Sequence, residues 1–161
     1  MRGDTVVTHE EVRMSADTSV ESNKAVVRRE LRELWEERNL DALDDLYAED
    51  VVVGMTRTGS VEQVVGRDDL RAVYEDWYEA FPDLTVDVEV EAAEGDVVMH
   101  YLTMRGTHTG PFRGVGPTGN EVEVKAFHYR RVRDGKVVET GAIAEMMELL
   151  RQIGVESPIS V

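Results

Sequence analysis

Gly106-Thr-His-Thr-Gly110-Pro-Phe-Arg-Gly114-Val-Gly116-Pro-Thr-Gly119 joins two runs of alternating apolar and polar residues, 97–105 and 121–132. The segment holds five of the thirteen glycines and two of the four prolines. That density marks a shaped, non-helical connection. Alternation on both sides marks the connected pieces as strands. Downstream, Arg131-Val-Arg-Asp-Gly-Lys-Val-Val138 reads as strand, tight Asp134-Gly135 turn and strand. Upstream, residues 84–92 form a further alternating run, closed by the turn Glu94-Gly95-Asp96. Four sheet segments are therefore expected, at about 84–92, 97–105, 121–132 and 136–144. Their local hairpins favour an antiparallel meander.

Helical spacing dominates the first half. Ser22 is a candidate cap, and Val27, Leu31, Leu34 and Trp35 then share one face. Asn39 interrupts the pattern. Asp41 restarts a short helix carrying Leu43, Leu46 and Tyr47, and Val51-Val-Val53 reads as a short strand. Residues 56–66 read as a polar loop. Asp68 caps a third helix with the stripe Leu70, Val73, Tyr74, Trp77 and Phe81, ended by Pro82. A short helix over 146–153 closes the chain at Gly154. Helices followed by a run of antiparallel strands give an α+β class. Residues 1–21, polar and aperiodic, are expected to form a flexible extension, 22–155 the domain, and 156–161 a tail.

The 161 residues suggest a single domain. Thirty-three acidic residues oppose eighteen basic ones, for a net charge of −15, and only Lys24, Lys125 and Lys136 are lysines. Such a surface repels nucleic acid and anionic membranes, so neither is an expected partner. The acidic excess reads as a solvated face that aids solubility. With the scarcity of lysine, it also resembles the surfaces of halophilic proteins. No apolar run approaches a membrane span, and no apolar signal stretch follows the first residues, so a cytoplasmic location is expected. The absence of cysteine excludes disulfides and thiolate metal sites.

Gly114-Val-Gly116-Pro-Thr-Gly119 matches a dinucleotide-binding pattern literally, but a strand follows it instead of a helix, and Pro117 lacks an N–H. It reads as a loop shaping a pocket mouth. His9, His100, His108 and His128 show no metal-ligand spacing, so no metal is expected. Strand parity is more informative. Val98, His100, Leu102 and Met104 share one face of their strand, as do Val122, Val124, Ala126, His128 and Val132 of theirs. His100 and His128 thus interrupt apolar phases. They are either buried structural histidines or two imidazoles in one pocket able to move protons near neutral pH. Met99, Tyr101, Arg105, Phe127, Tyr129 and Arg131 lie on the opposite face, with the composition of an interface.

Phe81-Pro-Asp-Leu84, Gly95-Asp96, Gly106-Thr-His-Thr-Gly110, Pro117-Thr-Gly119, Arg131-x-x-Asp-Gly-Lys-Val-Val-Glu139 and Leu149-Leu-x-Gln-Ile-Gly154 together resemble the SnoaL-like polyketide cyclases. These "ester cyclases" belong to the nuclear transport factor 2-like superfamily. The resemblance covers roughly residues 22–155. It implies a cone-shaped curved antiparallel sheet wrapped around the N-terminal helices, with an internal pocket for a small molecule. It also implies a homodimer through the outer sheet face, and cofactor-free acid/base chemistry that closes or isomerises a carbonyl-containing, polyketide-like substrate. On that reading His128 transfers the proton, His100 assists and Glu145 is a reserve carboxylate. Trp35, Met55, Tyr74, Trp77, Leu102 and Met104 are then the pocket-lining candidates; Tyr74 and Trp77 read equally as plain core. His108, in the family's Gly-Thr-His-Thr-Gly turn, is expected to pin the loop. Family members carry an aromatic residue and then an acid in the last strand, where this chain has Gly141 and Ala142. Two rival readings follow: a ligand-binding protein with a degenerate site, or an epoxide hydrolase of the same fold, which needs an Asp–Arg–Asp set.

Overall fold

The computed structural model describes residues 9–57 and 60–155, with side chains over 19–54 and 66–155. Residues 1–8 of the expected extension and the tail 156–161 lie outside the described residues. Helix α1 spans His9–Glu30, so it begins well before Ser22. No glycine or proline occurs between residues 9 and 36, so nothing in the chain stops the helix there. The helix then widens to π geometry over Leu31–Glu36, where the Glu37 N–H donates to the Arg32 carbonyl at 2.9 Å. This wide turn buries Leu31, Leu34 and Trp35. Arg38, at φ 56°, reverses the chain just before Asn39. A 3-10 turn, Leu40–Ala42, leads into the short α2, Leu43–Leu46.

Tyr47 opens strand β1 (Tyr47–Arg57) instead of closing a helix. The expected polar loop at 56–66 is largely strand β2 (Ser60–Val65), paired antiparallel with β1 from Val52↔Val65 to Arg57↔Ser60. Polar composition hid its three β-branched valines, Val61, Val64 and Val65, which suit an edge strand. Helix α3 (Arg67–Ala80) follows, and then β3 (Thr85–Glu94), β4 (Val97–Thr107), β5 (Glu121–Arg133) and β6 (Lys136–Ala144), with α4 (Met146–Gln152) closing the fold. These four strands fall within a few residues of the expected runs.

The sheet order is β2-β1-β6-β5-β4-β3. Strands β3 to β6 form the expected antiparallel meander, but β1 joins β6 in parallel, so the whole sheet is mixed. Register shifts at Tyr47/Val52, Val88/Val90 and Arg131/Val132 mark bulges, which bend strands. The curved sheet wraps α1 and α3. Its inner face buries Val98, Leu102, Val122, Val124 and Val132 against Val27, Leu34, Leu70 and Phe81. Each such side chain contributes roughly 1.5–3 kcal/mol by leaving water. Among the described residues, no helix is long and apolar enough to cross a membrane.

The loop between β4 and β5 is fastened to the end of α3. Thr109 and Gly110 both donate their N–H groups to the Ala80 carbonyl, at 3.0 and 3.2 Å. A Cβ on Gly110 would lie 2.0 Å from the Glu79 carbonyl oxygen, so only glycine fits. His108 is fully buried, hydrogen-bonds Thr118 Oγ1 through Nδ1 at 3.0 Å, and stacks near Phe81. Its carbonyl accepts from the N–H groups of Thr118 and Gly119. Phe112 packs beneath the loop on Trp77 and Phe81. The loop is thereby held over one end of the helix–sheet interior.

Candidate functional site

A cavity of about 110 Å³ lies between α3, the π turn and the inner faces of β1, β5 and β6. Trp35, Tyr74 and Trp77 form its aromatic side, while His128, Arg130 and Ala142 stand on the sheet side. A cavity of about 150 Å³ in an apolar core holds one benzene ring. At about 110 Å³ this one is smaller, so a ring-bearing ligand must extend through its mouth. Among the described residues, no Asp or Glu lines it.

The polar centre is a buried network. Glu30, fully buried on α1, accepts three hydrogen bonds on Oε1: from Tyr74 OH at 2.6 Å, Tyr47 OH at 2.9 Å and Arg130 Nη2 at 3.0 Å. The two phenol oxygens are 3.3 Å apart. Burial opposes the Arg130 charge, but the Glu30 carboxylate outweighs that effect and raises its pKa. Burial and the nearby Glu30 charge both raise the pKa values of Tyr47 and Tyr74, so both phenols stay protonated. Glu30 and Arg130 were missed as site residues. Both carried a signal: Glu30 falls within the stripe Val27, Leu31 and Leu34, and Arg130 shares the apolar phase of His128 and Val132.

Glu91, His100, His128 and Ala142 stand at one register level across β3 to β6, with Met55 beyond them on β1. Directly paired residues share a sheet face, so both imidazoles point inward. Only His128 lines the cavity. His100 donates from Nε2 to Glu91 Oε2 at 3.0 Å, and Arg28 holds the same carboxylate. Of the remaining candidates, Trp35, Tyr74, Trp77 and Met104 line the cavity, whereas Leu102 is buried core outside it. The Met55 side chain lies outside the described residues. Glu145 is exposed at the start of α4 and does not line the cavity, although its neighbours Ala144 and Met146 do; its carboxylate accepts the Lys125 N–H at 3.0 Å.

Gly141 has a local explanation. Tyr129, its partner on β5, lies across it and donates to Glu139 Oε1 at 2.9 Å. A Cβ at 141 would be 2.4 Å from the Tyr129 ring. The aromatic ring at this point of the sheet thus comes from the neighbouring strand.

His128 is 6% exposed, its Nδ1 has no hydrogen-bond partner among the described residues, and its ring centroid is 6.3 Å from that of Trp35. Burial, then the Arg130 and His100 charges, push its pKa well below the ordinary 6.5. The imidazole is therefore neutral throughout the physiological range. Burial also lowers His108. The unfolded chain binds protons below about pH 6.5 that these two histidines refuse in the fold. Stability is then expected to fall as pH drops from 6.5 toward 5.5, by up to about 1.4 kcal/mol per unit for each group. Arg28 and Arg131 hold Glu91 and Glu139 below the ordinary carboxylate range, so neither titrates in this window. Urea midpoints at pH 7.5, 6.5 and 5.5 check this, and a His128→Gln variant should show a shallower decline.

A family model for SnoaL-like polyketide cyclases matches residues 25–153. The chain belongs to that family. A candidate SnoaL-like polyketide cyclase from Jannaschia sp. CCS1 superposes with a TM-score of 0.78 at 26% identity, covering 86% of this chain and 95% of that one. AclR, a candidate hydroxylase from Streptomyces galilaeus, gives 0.74 at 30% identity, over 88% and 86%. IdmH, a candidate polyketide cyclase from Streptomyces antibioticus, gives 0.68 at 33% identity, over 83% and 99%. No curated protein matches by sequence. The SnoaL-like chain thus has the cyclase-type α+β fold of the nuclear transport factor 2-like proteins, with a small-molecule cavity at its centre.

Proposed function

We propose that this chain performs cofactor-independent acid/base chemistry on a carbonyl-containing, polyketide-like substrate, as a cyclase or isomerase. The observation that carries this reading is the neutral His128 imidazole in the wall of an aromatic cavity that, among the described residues, no carboxylate lines. The imidazole takes a proton from the carbon beside a carbonyl, and the C–H electron pair becomes an enolate. The enolate carbon attacks a second carbonyl carbon, whose π pair moves onto its oxygen. The imidazolium then returns its proton to that oxygen. A lowered pKa makes His128 a weak base alone, but the enolate and the imidazolium form together and stabilise each other in a poorly solvated space. The Tyr74–Glu30–Arg130 network ties the sheet side of the cavity, beside His128, to its aromatic side.

The test is α-hydrogen exchange in D2O, followed by NMR over a panel of aryl ketones and 1,3-diketones. Catalysed exchange supports the reading. Binding without exchange across the panel supports the second reading, a binding protein, which the alanine at 142 favours. The hydrolase reading gains little: Arg130 pairs with one carboxylate, Glu30, and no Asp or Glu is among the described residues that line the cavity.

Assembly as a homodimer through the outer sheet face belongs to the same proposal. Val90, Tyr101, Phe127 and Ile143 form one row across β3 to β6, and Val90, Phe127 and Ile143 are 55%, 52% and 69% exposed. The Tyr101 and Phe127 rings are 4.7 Å apart. On a chain of net charge −15, such an apolar row fits a second copy of itself. Phe127→Glu with Ile143→Glu places like charges across the two-fold, and a monomer mass by light scattering is the expected result. An unchanged dimer would remove this face from consideration.

A further inference from the structure

Three buried polar atoms belong to the lining of the cavity and are unmatched. Trp35 Nε1, His128 Nδ1 and Arg130 Nε have no hydrogen-bond partner among the described residues. All three residues line the cavity, and each is more than nine-tenths buried. Tyr47 and Tyr74, by contrast, direct their hydroxyls to Glu30, and Arg130 directs Nη1 to the Tyr129 carbonyl and Nη2 to Glu30. An indole N–H can only donate, and so can the Arg130 Nε–H. A buried donor without an acceptor destabilises a fold, and native interiors seldom leave one. The surrounding side chains supply no acceptor, so it comes from what occupies the cavity. An oxygen atom meets that need, and a purely apolar ligand does not.

Of the two donors, Trp35 stands beside the candidate base. It lies in the π turn Leu31–Glu36, a geometry frequent at functional sites. Its ring centroid is 5.0 Å from that of Tyr74 and 6.3 Å from those of Trp77 and His128. Contacts on three sides fix the indole, and one acyl group is long enough to touch both it and the imidazole.

We infer that Trp35 Nε1–H donates to the carbonyl oxygen of the substrate, which makes Trp35 a catalytic residue beside His128. The inference rests on the proposed carbonyl chemistry. As the imidazole takes the α-proton, the C–H pair forms the enolate C=C bond and the carbonyl π pair moves onto oxygen. Negative charge therefore develops on the atom that accepts from the indole. The hydrogen bond strengthens with that charge, so it favours the transition state over the bound ketone.

The probes are acetophenone and ethylbenzene, which share a ring and a two-carbon side chain and differ in the carbonyl oxygen. Trp35 and Trp77 are the only tryptophans, so NMR of the protein with isotope-labelled indole nitrogens gives two Nε1–H signals, assigned by single Phe replacements. Acetophenone is expected to move the Trp35 proton downfield, and ethylbenzene is not. Trp35→Phe keeps an aromatic ring and removes the donor. It should weaken acetophenone about two- to tenfold relative to ethylbenzene, the scale of one hydrogen bond. Catalysed α-hydrogen exchange on acetophenone should fall further, by about 10²–10³-fold, as for the loss of one oxyanion donor. A merely structural tryptophan would weaken both ligands alike. Equal displacement of the Trp35 signal by the two ligands, or an affinity ratio unchanged in Trp35→Phe, overturns the inference. Exchange is scored separately. A carbonyl-dependent Trp35 signal without catalysed exchange rejects only the catalytic reading, and catalysed exchange that survives Trp35→Phe undiminished rejects only the role of Trp35.

Discussion

Glu30→Ala is expected to lower stability by about 3–5 kcal/mol, the cost of leaving a buried charge without its partner. Arg130 is 5% exposed, and Glu30 is its only ion-pair partner within 4.0 Å among the described residues. The same carboxylate oxygen also accepts hydrogen bonds from the Tyr47 and Tyr74 hydroxyls, so its loss removes the acceptor of both phenols and leaves them only each other, at 3.3 Å. For a domain of this size the shift corresponds to a fall in melting temperature on the order of 10 °C. Glu30→Gln keeps an acceptor but not the charge and should fall between wild type and alanine. Replacing both partners with apolar residues, Glu30→Leu with Arg130→Met, should recover much of the loss, because the expensive state is one charge without the other. Urea unfolding of the four proteins checks the ordering. A loss below about 1 kcal/mol for Glu30→Ala would mean that Arg130 finds another counter-charge, and the network described above would not be what holds this wall.

The strands were legible because their signal is local. Alternation over 97–105 and 121–132 needs no knowledge of partners, and parity alone put His100 and His128 on the inner face. What was not legible depends on pairing. Glu30 and Arg130 are 100 positions apart, and each alone resembles a stray charge in an apolar stripe. The division of labour between the two histidines was equally hidden. It is decided by Glu91, which faces His100 only because β3 pairs with β4 in that register. Strand β2 was missed because an edge strand tolerates polar residues, so composition argued for a loop. The two-residue turn Arg113-Gly114, at φ 48° and 83°, lacks the asparagine that announces turns of this kind, and the paired backbone hydrogen bonds between Phe112 and Val115 were needed to recognise it. Gly141 read as a loss from the family pattern. Tyr129 lying across it makes it part of a rearranged packing.

His128→Ala is expected to lower catalysed α-hydrogen exchange by about 10²–10⁴-fold, the usual contribution of a positioned acid/base group. Stability should change much less than with Glu30→Ala, because the His128 Nδ1 has no hydrogen bond to lose among the described residues. Ligand affinity should be largely retained, since the aromatic wall remains. A reciprocal change tests the geometry. Ala142 pairs directly with His128 on β6 and lines the same cavity, so Ala142→Asp sets a carboxylate roughly 4.5–5.5 Å from the imidazole by Cβ separation. Partial burial raises that carboxyl toward neutrality, where it is a stronger base than His128 as found. The carboxylate also favours the imidazolium and raises the His128 pKa. Exchange should therefore increase in Ala142→Asp, and its acid limb should move to higher pH. The double variant, His128→Ala with Ala142→Asp, should recover part of the activity lost in His128→Ala. Full exchange activity in His128→Ala would place the base elsewhere. If Ala142→Asp recovered activity only while His128 was intact, the carboxylate would be orienting the imidazole and not replacing it.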